Sequence, residues 1–139
     1  MIVKAGQLAD SQNSFMLPSC EQANKSVLHL INGEHFAGAE RVQDLLAKCL
    51  PKYGYEADFV CLKIGKFAEV RRSNSTLYQL NMRNSFDFSI ANSVSKIVRE
   101  NDYKFLHAHT PRSLMVGATT SIMTGLPLIY HVHSPVGRD

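Results

Sequence analysis

Histidine is the side chain best suited to chemistry in this sequence, and four of the six histidines form two closely spaced pairs. His107 and His109 lie in FLHAHT, and His131 and His133 lie in IYHVHS. Side chains two residues apart on a strand point to the same side of a sheet. Each pair can therefore hydrogen-bond a ligand, move a proton or hold a metal ion.

Metal-dependent hydrolysis is one interpretation of these pairs, and a structural role for part of each pair is the other. A hydrolytic metal centre would need an acidic ligand, and no predicted strand ends in Asp or Glu. We therefore expect no metal site. His107 and His131 are expected to be core residues with one hydrogen bond each, whereas His109 and His133 are expected at strand ends, facing a cleft.

His133 is the strongest catalytic candidate, because it follows the last predicted strand and precedes Ser134 and Pro135. In open α/β sheets, ligands bind at the carboxyl ends of the strands. A histidine there can hydrogen-bond a sugar hydroxyl or a phosphate, or transfer a proton. Arg112, in the first turn of a predicted helix, either holds a phosphate or is a solvated surface residue.

The segment 32–41, NGEHFAGAER, connects a predicted strand to a predicted helix. Gly33 and Gly38 fit tight backbone positions, and the amides that begin a helix attract anions such as phosphate. The spacing is not the dinucleotide fingerprint GxGxxG, and no Gly-Lys-Ser/Thr of a P-loop is present. The sequence leaves two interpretations of this loop, an anion-binding loop and a plain connection.

An alternation of strands and helices positions these residues. Apolar runs predict strands, and apolar residues spaced three and four apart predict helices. In chain order the predicted elements are strand 26–31, helix 39–50, strand 56–62, strand 76–82, helix 88–100, strand 105–109, helix 111–124 and strand 128–132. This order predicts an α/β fold with a mainly parallel sheet and helices on both faces.

Local signals refine this prediction. Asp87 is a candidate cap for one helix, Thr110 and Pro111 begin the next, and Gly125 ends it. The basic segment 63–75 is predicted to be an exposed connection, and the last strand is predicted to be buried on both faces. The first helix carries one apolar stripe, formed by Val42, Leu45, Leu46 and Cys49.

Composition and charge exclude several classes of protein. The chain has 139 residues, enough for one domain with a core, and its net charge of +3 does not indicate a nucleic-acid partner. No apolar run is long enough to span a bilayer, and the three cysteines lack metal-binding spacing. Residues 1–25 are predicted to be a disordered or loosely packed tail, followed by one domain over residues 26–139.

Two long segments resemble a known enzyme family. The segments that carry the resemblance are AGAERVQDLLAKCLPKYGYEADFVCL and FLHAHTPRSLMVGATTSIMTGLPLIYHVHSP. The chain resembles the N-terminal domain of retaining glycosyltransferases of family 4 over residues 27–135. This resemblance implies a Rossmann-like, three-layer α/β/α domain that forms one half of a GT-B architecture. Family members usually carry Gly-Gly before Ala-Glu-Arg, whereas this chain has Ala37 and Gly38.

The resemblance implies a sugar transfer from a nucleotide-sugar donor to a glycan, lipid-linked or small-molecule acceptor, without a cofactor and without a required metal. His133 would be the catalytic residue at the reaction centre. The expected substrate-binding residues, from the resemblance and the residue types together, are Ala37, Gly38, His109, Thr110, Arg112 and Ser134. We expect the family's donor-binding C-terminal domain to be missing, and the truncated domain to be inactive alone.

The resemblance also bears on location and partners. We expect a cytoplasmic protein, with peripheral contact at the inner face of the membrane as an alternative. Such contact would use the basic side chains of the segment 63–72, which are Lys63, Lys66, Arg71 and Arg72. The competing hypothesis for the whole chain is a stand-alone flavodoxin-like binding or regulatory module without catalysis.

Overall fold

A computed structural model of the chain describes residues 25–84 and 87–133. Two predictions made from the sequence fall outside these ranges. The tail predicted over residues 1–25 lies outside them except for Lys25, which begins the first strand. The candidate binding residue Ser134 also lies outside the described residues.

Five strands form one sheet in which every described pair of neighbouring strands is parallel. Each strand lies within two residues of its predicted bounds except β3, which ends three residues before its predicted end at residue 82. The strands are β1 Lys25–Ile31, β2 Tyr55–Cys61, β3 Leu77–Gln79, β4 Tyr103–Ala108 and β5 Leu128–Tyr130.

Helices connect the strands, as parallel pairing requires. The helices are α1 Gly38–Cys49, α2 Lys66–Val70, α3 Ser89–Glu100 and α4 Pro111–Thr124. A 3-10 turn, Leu50–Tyr53, follows α1. Pro51 lies in this turn, and Gly54 ends it in the left-handed conformation that glycine favours.

The strand order in space is β3-β2-β1-β4-β5. This is the order of a Rossmann-like sheet, whereas flavodoxin-like sheets follow the order 2-1-3-4-5. The predicted α/β fold with a parallel sheet is therefore confirmed, and the strand order differs from that of a flavodoxin-like sheet. The order reverses direction between β1 and β4, and the crevice outside the carboxyl ends of those strands is where such folds bind ligands.

The sheet has a core on each face, because side chains alternate along each strand. On one face, Leu30 and Leu106 are fully buried against α3 and α4. On the other face, Ile31, Phe59 and Phe67 pack with α1 and α2. The result is the predicted three-layer arrangement, helices, sheet and helices.

Helix α4 has the boundaries that its sequence predicts. Thr110 accepts a hydrogen bond from the backbone N–H of Ser113, and Ser113 accepts one in return from the backbone of Thr110, which forms a capping box. Gly125 ends the helix with φ +76°. Gly117 brings α4 close to the sheet, since an added Cβ would lie 2.9 Å from Leu128 and 3.0 Å from Leu30.

Helix α1 is oriented differently from its apolar pattern. Its predicted stripe faces away from the sheet, with Val42, Leu45 and Leu46 exposed. The helix instead buries Gln43, Asp44 and Ala47. The Asp44 carboxylate explains this orientation, because it accepts hydrogen bonds from the backbone N–H groups of Arg72 at 2.8 Å and Ser73 at 2.9 Å.

Two further predictions are corrected by the structure. The segment 63–75 contains α2 and the fully buried Phe67, so it is not simply an exposed connection. The last strand, β5, pairs with β4 on one side only among the described residues. Ile129 is 47% exposed as a result, and the prediction of burial on both faces is wrong.

In the described part of the chain, no helix has both the length and the apolar character that crossing a bilayer requires.

Candidate functional site

Five histidines gather at the carboxyl edge of the sheet, at the point where the strand order reverses. His29 of β1 is paired in register with His107 of β4. His109 follows β4, and His131 and His133 follow β5. We call these five residues the histidine cluster.

Two contacts join three of these imidazole rings in a row. His29 Nδ1 lies 2.9 Å from His109 Nε2, and His109 Nδ1 lies 3.1 Å from His133 Nε2. A neutral imidazole has one N–H donor and one lone pair. His109 can therefore donate to one neighbour and accept from the other, so the tautomer of the buried ring determines whether the free Nδ1 of His133 presents an N–H or a lone pair.

The surroundings keep these rings neutral. Burial, together with the neighbouring His107, lowers the pKa of His29 to about 3. Burial and the surrounding histidines lower the pKa of His109 to about 2. The pKa of His133 is also below its ordinary value, because partial burial and His131 outweigh the opposite effect of Glu40.

The burial of the individual rings differs from the sequence prediction. His109 is buried, with 4% of its surface exposed, and lies behind the edge of the sheet rather than facing a cleft. His131 is exposed and His107 is half-buried, so neither is the core residue expected. His131 is exposed because β5, which it follows, pairs with β4 alone among the described residues and its carboxyl end is open to solvent. His133 is exposed, as predicted.

The loop before α1 brings the start of that helix to the same edge. Ala37 is the exposed N-cap of α1, and no described side chain caps the helix amides there. Around Gly38, no described atom lies within 4 Å of the place where a Cβ would be. Gly38 is thus helical and open, not tightly packed as predicted. Glu40, in the first turn of α1, is close enough to raise the pKa of His133.

Gly33, in the same loop, does occupy a tight position. Its φ is +86°, and an added Cβ would lie 2.6 Å from the carbonyl oxygen of Lys63. The loop is held further by Glu34, whose carboxylate lies 2.6 Å from Lys63 Nζ and 3.8 Å from Arg112 Nη1. Arg112 is therefore ion-paired rather than simply solvated.

A cavity of about 340 Å³ opens between the ends of β1 and β4. Thr110 lines it and donates a hydrogen bond from its hydroxyl to Asn32 Oδ1 at 3.3 Å. Two predicted binding residues, Thr110 and Arg112, thus share one cavity at the switch point of the sheet. The lining consists of Asn32, Thr110, Pro111, Arg112 and Met115.

Sequence reasoning missed several members of this site. It treated His29 as part of an apolar strand, SVLHLI, because the pairing of His29 with His107 is a property of the sheet register. It also passed over Asn32 and the ion pairs of Glu34. A signal was present, since β1 and β4 each carry a histidine close to the carboxyl end of an otherwise apolar run.

Comparison with known proteins identifies the family. The family model of Glycosyltransferase Family 4 matches residues 36–138. The chain belongs to glycosyltransferase family 4. No curated protein sequence gives a significant match.

A crystal structure of a glycosyltransferase from Rickettsia africae ESF-5 has a similar fold, with a TM-score of 0.67 and 15% sequence identity. The alignment covers 84% of this chain and 32% of the Rickettsia chain. The chain thus spans about one third of the length of that structure. At this identity the likeness shows the fold, and it agrees with the Rossmann-like sheet of this family 4 chain.

The family match includes both sides of the candidate site. Residues 36–138 contain the beginning of α1 at Ala37 and Gly38, the Thr110–Arg112 side of the cavity and four of the five clustered histidines. His29 and Asn32 lie before the matched segment. The resemblance to family 4 that the motifs indicated is therefore confirmed.

Proposed function

We propose that this chain is the acceptor-side domain of a retaining glycosyltransferase with a GT-B architecture. The reaction moves a sugar from a nucleotide-sugar donor to a glycan, lipid-linked or small-molecule acceptor. The acceptor oxygen bonds to the anomeric carbon while the bond from that carbon to the nucleoside diphosphate breaks, and the hydroxyl proton leaves with the diphosphate. We propose that this step needs no metal ion or cofactor.

One observation carries the proposal. The exposed ring of His133 lies at the carboxyl edge of a family 4 domain, held by the buried His109 and within the electrostatic influence of the first turn of α1. A neutral histidine at that place can accept a hydrogen bond from a sugar hydroxyl. Because Nδ1 of His109 is hydrogen-bonded to His133, we propose that His109 acts as a positioning residue and does not bind substrate directly.

The other residues have roles that follow from their surroundings. The uncapped amides at Ala37 and Gly38 can donate hydrogen bonds to the diphosphate of the nucleotide sugar, because a helix N-terminus favours anions and Gly38 leaves room for close approach. Thr110 and Arg112 border the cavity that would receive the acceptor. Ser134 retains its proposed binding role from the resemblance to family 4.

Binding of the nucleotide-sugar donor is a separate part of the proposal. We propose that nucleotide-sugar binding depends on a second domain, as the family resemblance implies, so that the 139-residue chain alone does not transfer sugar. A cytoplasmic location, with or without peripheral contact through the basic segment 63–72, belongs to the same proposal.

The first experiment compares the protein from its native source with the 139-residue chain of 15.5 kDa. Its mass shows whether a donor-binding domain is attached, and nucleotide-sugar turnover is measured on both forms. In the active form, His133→Ala should lower kcat by about 100-fold or more. The matched control is His35→Ala, an exposed histidine outside the cluster.

Three results would count against the proposal. Turnover by the 139-residue chain alone would contradict the need for a donor domain. Equal activity of His133→Ala and the parent protein would contradict the role of His133. A similar loss in His35→Ala would show that the effect is not specific to the cluster. Urea unfolding should be unchanged in His35→Ala, because that side chain is exposed. His133→Ala should lower the free energy of unfolding by about 1 kcal/mol, because Nδ1 of the buried His109 loses its partner, and the chain should remain folded.

A further inference from the structure

The histidine cluster has a property that sugar transfer does not use. One ring nitrogen from each of His109, His131 and His133 lies within 4.8 Å of the others. A second trio, His29, His107 and His109, has the same spacing and is more deeply buried. Two overlapping sets of three imidazoles at one edge of a sheet are more than substrate hydrogen bonding at His133 requires.

The distances suit a tetrahedral metal ion. Two nitrogens bound to one such ion at about 2.0–2.1 Å are about 3.3 Å apart. His109 Nδ1 and His133 Nε2 are 3.1 Å apart, so a small movement of the exposed His133 ring would allow both lone pairs to face one ion. His131 and His133 are stacked, with ring centroids 4.1 Å apart, and both are exposed.

The contact on the buried side of the cluster is compatible with the tautomer that metal binding requires. To bind metal through Nδ1, His109 must carry its proton on Nε2, which then donates to His29 Nδ1 at 2.9 Å. Metal-bound histidines usually donate their second N–H in this way, which fixes the ring. His29 is itself 2% exposed, and its Nε2 has no hydrogen-bond partner among the described residues.

The types of side chain in the cluster indicate which ions would fit. Neither trio contains a carboxylate, so the site suits ions that prefer imidazole, such as Zn²⁺, Ni²⁺ or Cu²⁺, over Mg²⁺ or Ca²⁺.

We propose that His109, His131 and His133 form a binding site for a first-row transition-metal ion of the Zn²⁺ type. His109 binds through Nδ1 and His133 through Nε2, and the solvent side leaves a fourth position for water. This ion is not a cofactor of the proposed transfer, because it takes the lone pair that His133 would offer to substrate. The inference does not depend on the proposed function.

The test uses Co²⁺ as a spectroscopic substitute for Zn²⁺ with the untagged 139-residue chain. Tetrahedral Co²⁺ should give visible absorption that saturates at one ion per chain, and Zn²⁺ should abolish it. His131→Ala should weaken Co²⁺ binding by more than about 100-fold, because the loss of a ligand costs more than the loss of an outer partner. The matched control, His35→Ala, should bind as the parent chain does.

His29→Gln tests the outer hydrogen bond. It should weaken Co²⁺ binding by about 10- to 100-fold, less than the loss of a ligand. Two results would overturn the proposal: His131→Ala and His35→Ala binding equally well, or no saturable visible band. A sulfur-to-cobalt charge-transfer band in the near ultraviolet would also overturn it, since it would place the ion on a cysteine instead.

Discussion

Gly33 and Gly38 lie in one loop but have opposite surroundings. Gly33 has φ +86°, and the space for a side chain is filled by the Lys63 carbonyl and by Cys61. Gly38 is helical, and no described atom lies within 4 Å of its missing Cβ. The first glycine is thus required by the fold, whereas the second keeps the beginning of α1 accessible to a ligand.

Alanine substitutions should separate these two roles. Gly33→Ala should lower the free energy of unfolding by about 2 kcal/mol or more, because it combines a left-handed backbone with a steric clash. Gly38→Ala should leave it unchanged or raise it by about 0.5 kcal/mol, because alanine favours the helix. Urea unfolding of both variants checks this, and equal losses would show that both positions are tightly packed.

The sequence predicted part of the candidate site correctly at the level of single residues. Spacing alone singled out four histidines, and the structure brings all four together. It did not predict which rings are buried, because burial depends on the position of each strand in the sheet: β4 lies between β1 and β5, whereas β5 pairs with β4 alone among the described residues. His29 was missed because its contacts depend on the sheet register, and its contact with His109 spans 80 positions in the chain.

At the scale of elements, α1 is held by a polar contact instead of its apolar stripe. The Asp44 carboxylate is buried and accepts two backbone hydrogen bonds from the segment after α2. Burial alone would raise the pKa of Asp44, but the hydrogen bonds from Ser73 and Arg72, together with the charge of Arg71, lower it overall. The ionised side chain therefore joins α1 to that segment.

Asp44→Asn should lower the free energy of unfolding by about 1–3 kcal/mol at neutral pH, because one buried N–H loses its acceptor. The folded-state pKa of Asp44 lies below the ordinary value of 3.8. The stabilisation that ionised Asp44 gives to the folded chain is therefore complete above about pH 4, and it is lost as the pH falls through the folded-state pKa. The difference between parent chain and variant should shrink accordingly.

Urea unfolding at neutral pH and at about pH 3 measures this difference. The control is Asp102→Asn, whose side chain is 77% exposed and paired with Lys104 on the surface. It should change stability little at either pH, because exposed ion pairs contribute about 0–1 kcal/mol. A pH-independent effect of Asp44→Asn would show that the carboxylate is not the group that matters.

Local sequence signals were sufficient to predict the ends of α4 and the buried face of α3. The cap at Thr110 and the stop at Gly125 depend on neighbouring residues only, and both were predicted correctly. Helix α3 also buries its predicted face, through Ile90, Val94 and Val98. The rotation of α1 could not be predicted in this way, because the partners of Asp44 lie 28 and 29 residues further along the chain.

At the scale of the whole molecule, the rotation of α1 leaves an apolar surface on the outside. Leu45 is 61% exposed, and its neighbours Val42 and Leu46 are exposed as well. Ile122 of α4 and Ile129 of β5 add further exposed apolar area elsewhere on the described surface. We therefore expect that folding of the described domain does not depend on covering the α1 stripe.

Lysine substitutions on the two faces of α1 test this surface. Leu45→Lys should change the free energy of unfolding by less than about 0.5 kcal/mol, because the side chain is already in water. Ala47→Lys should unfold the chain or destabilise it severely, because Ala47 is 3% exposed and packs on the sheet. Thermal unfolding distinguishes the faces, and the opposite order of effects would show that the predicted stripe is the buried one.

For the whole molecule, the sequence predicted the fold class but not the order of the strands in the sheet. Alternating strands and helices predict a parallel three-layer fold, because parallel strands need crossover connections. The strand order was not predicted, since apolar patterns do not specify which strands are neighbours. The order β3-β2-β1-β4-β5 sets the switch point, and with it the place of the cavity and of the histidine cluster.

The central position of β1 has a consequence for how the protein is made. β1 is the first described strand to leave the ribosome, yet it needs β2 on one side and β4 on the other. Translation adds about 5–20 residues per second, so Leu106 of β4 is synthesised several seconds after Leu28 and Leu30 of β1. During that interval the nascent chain exposes the future centre of its sheet, so we expect chaperones at the exit tunnel to bind it.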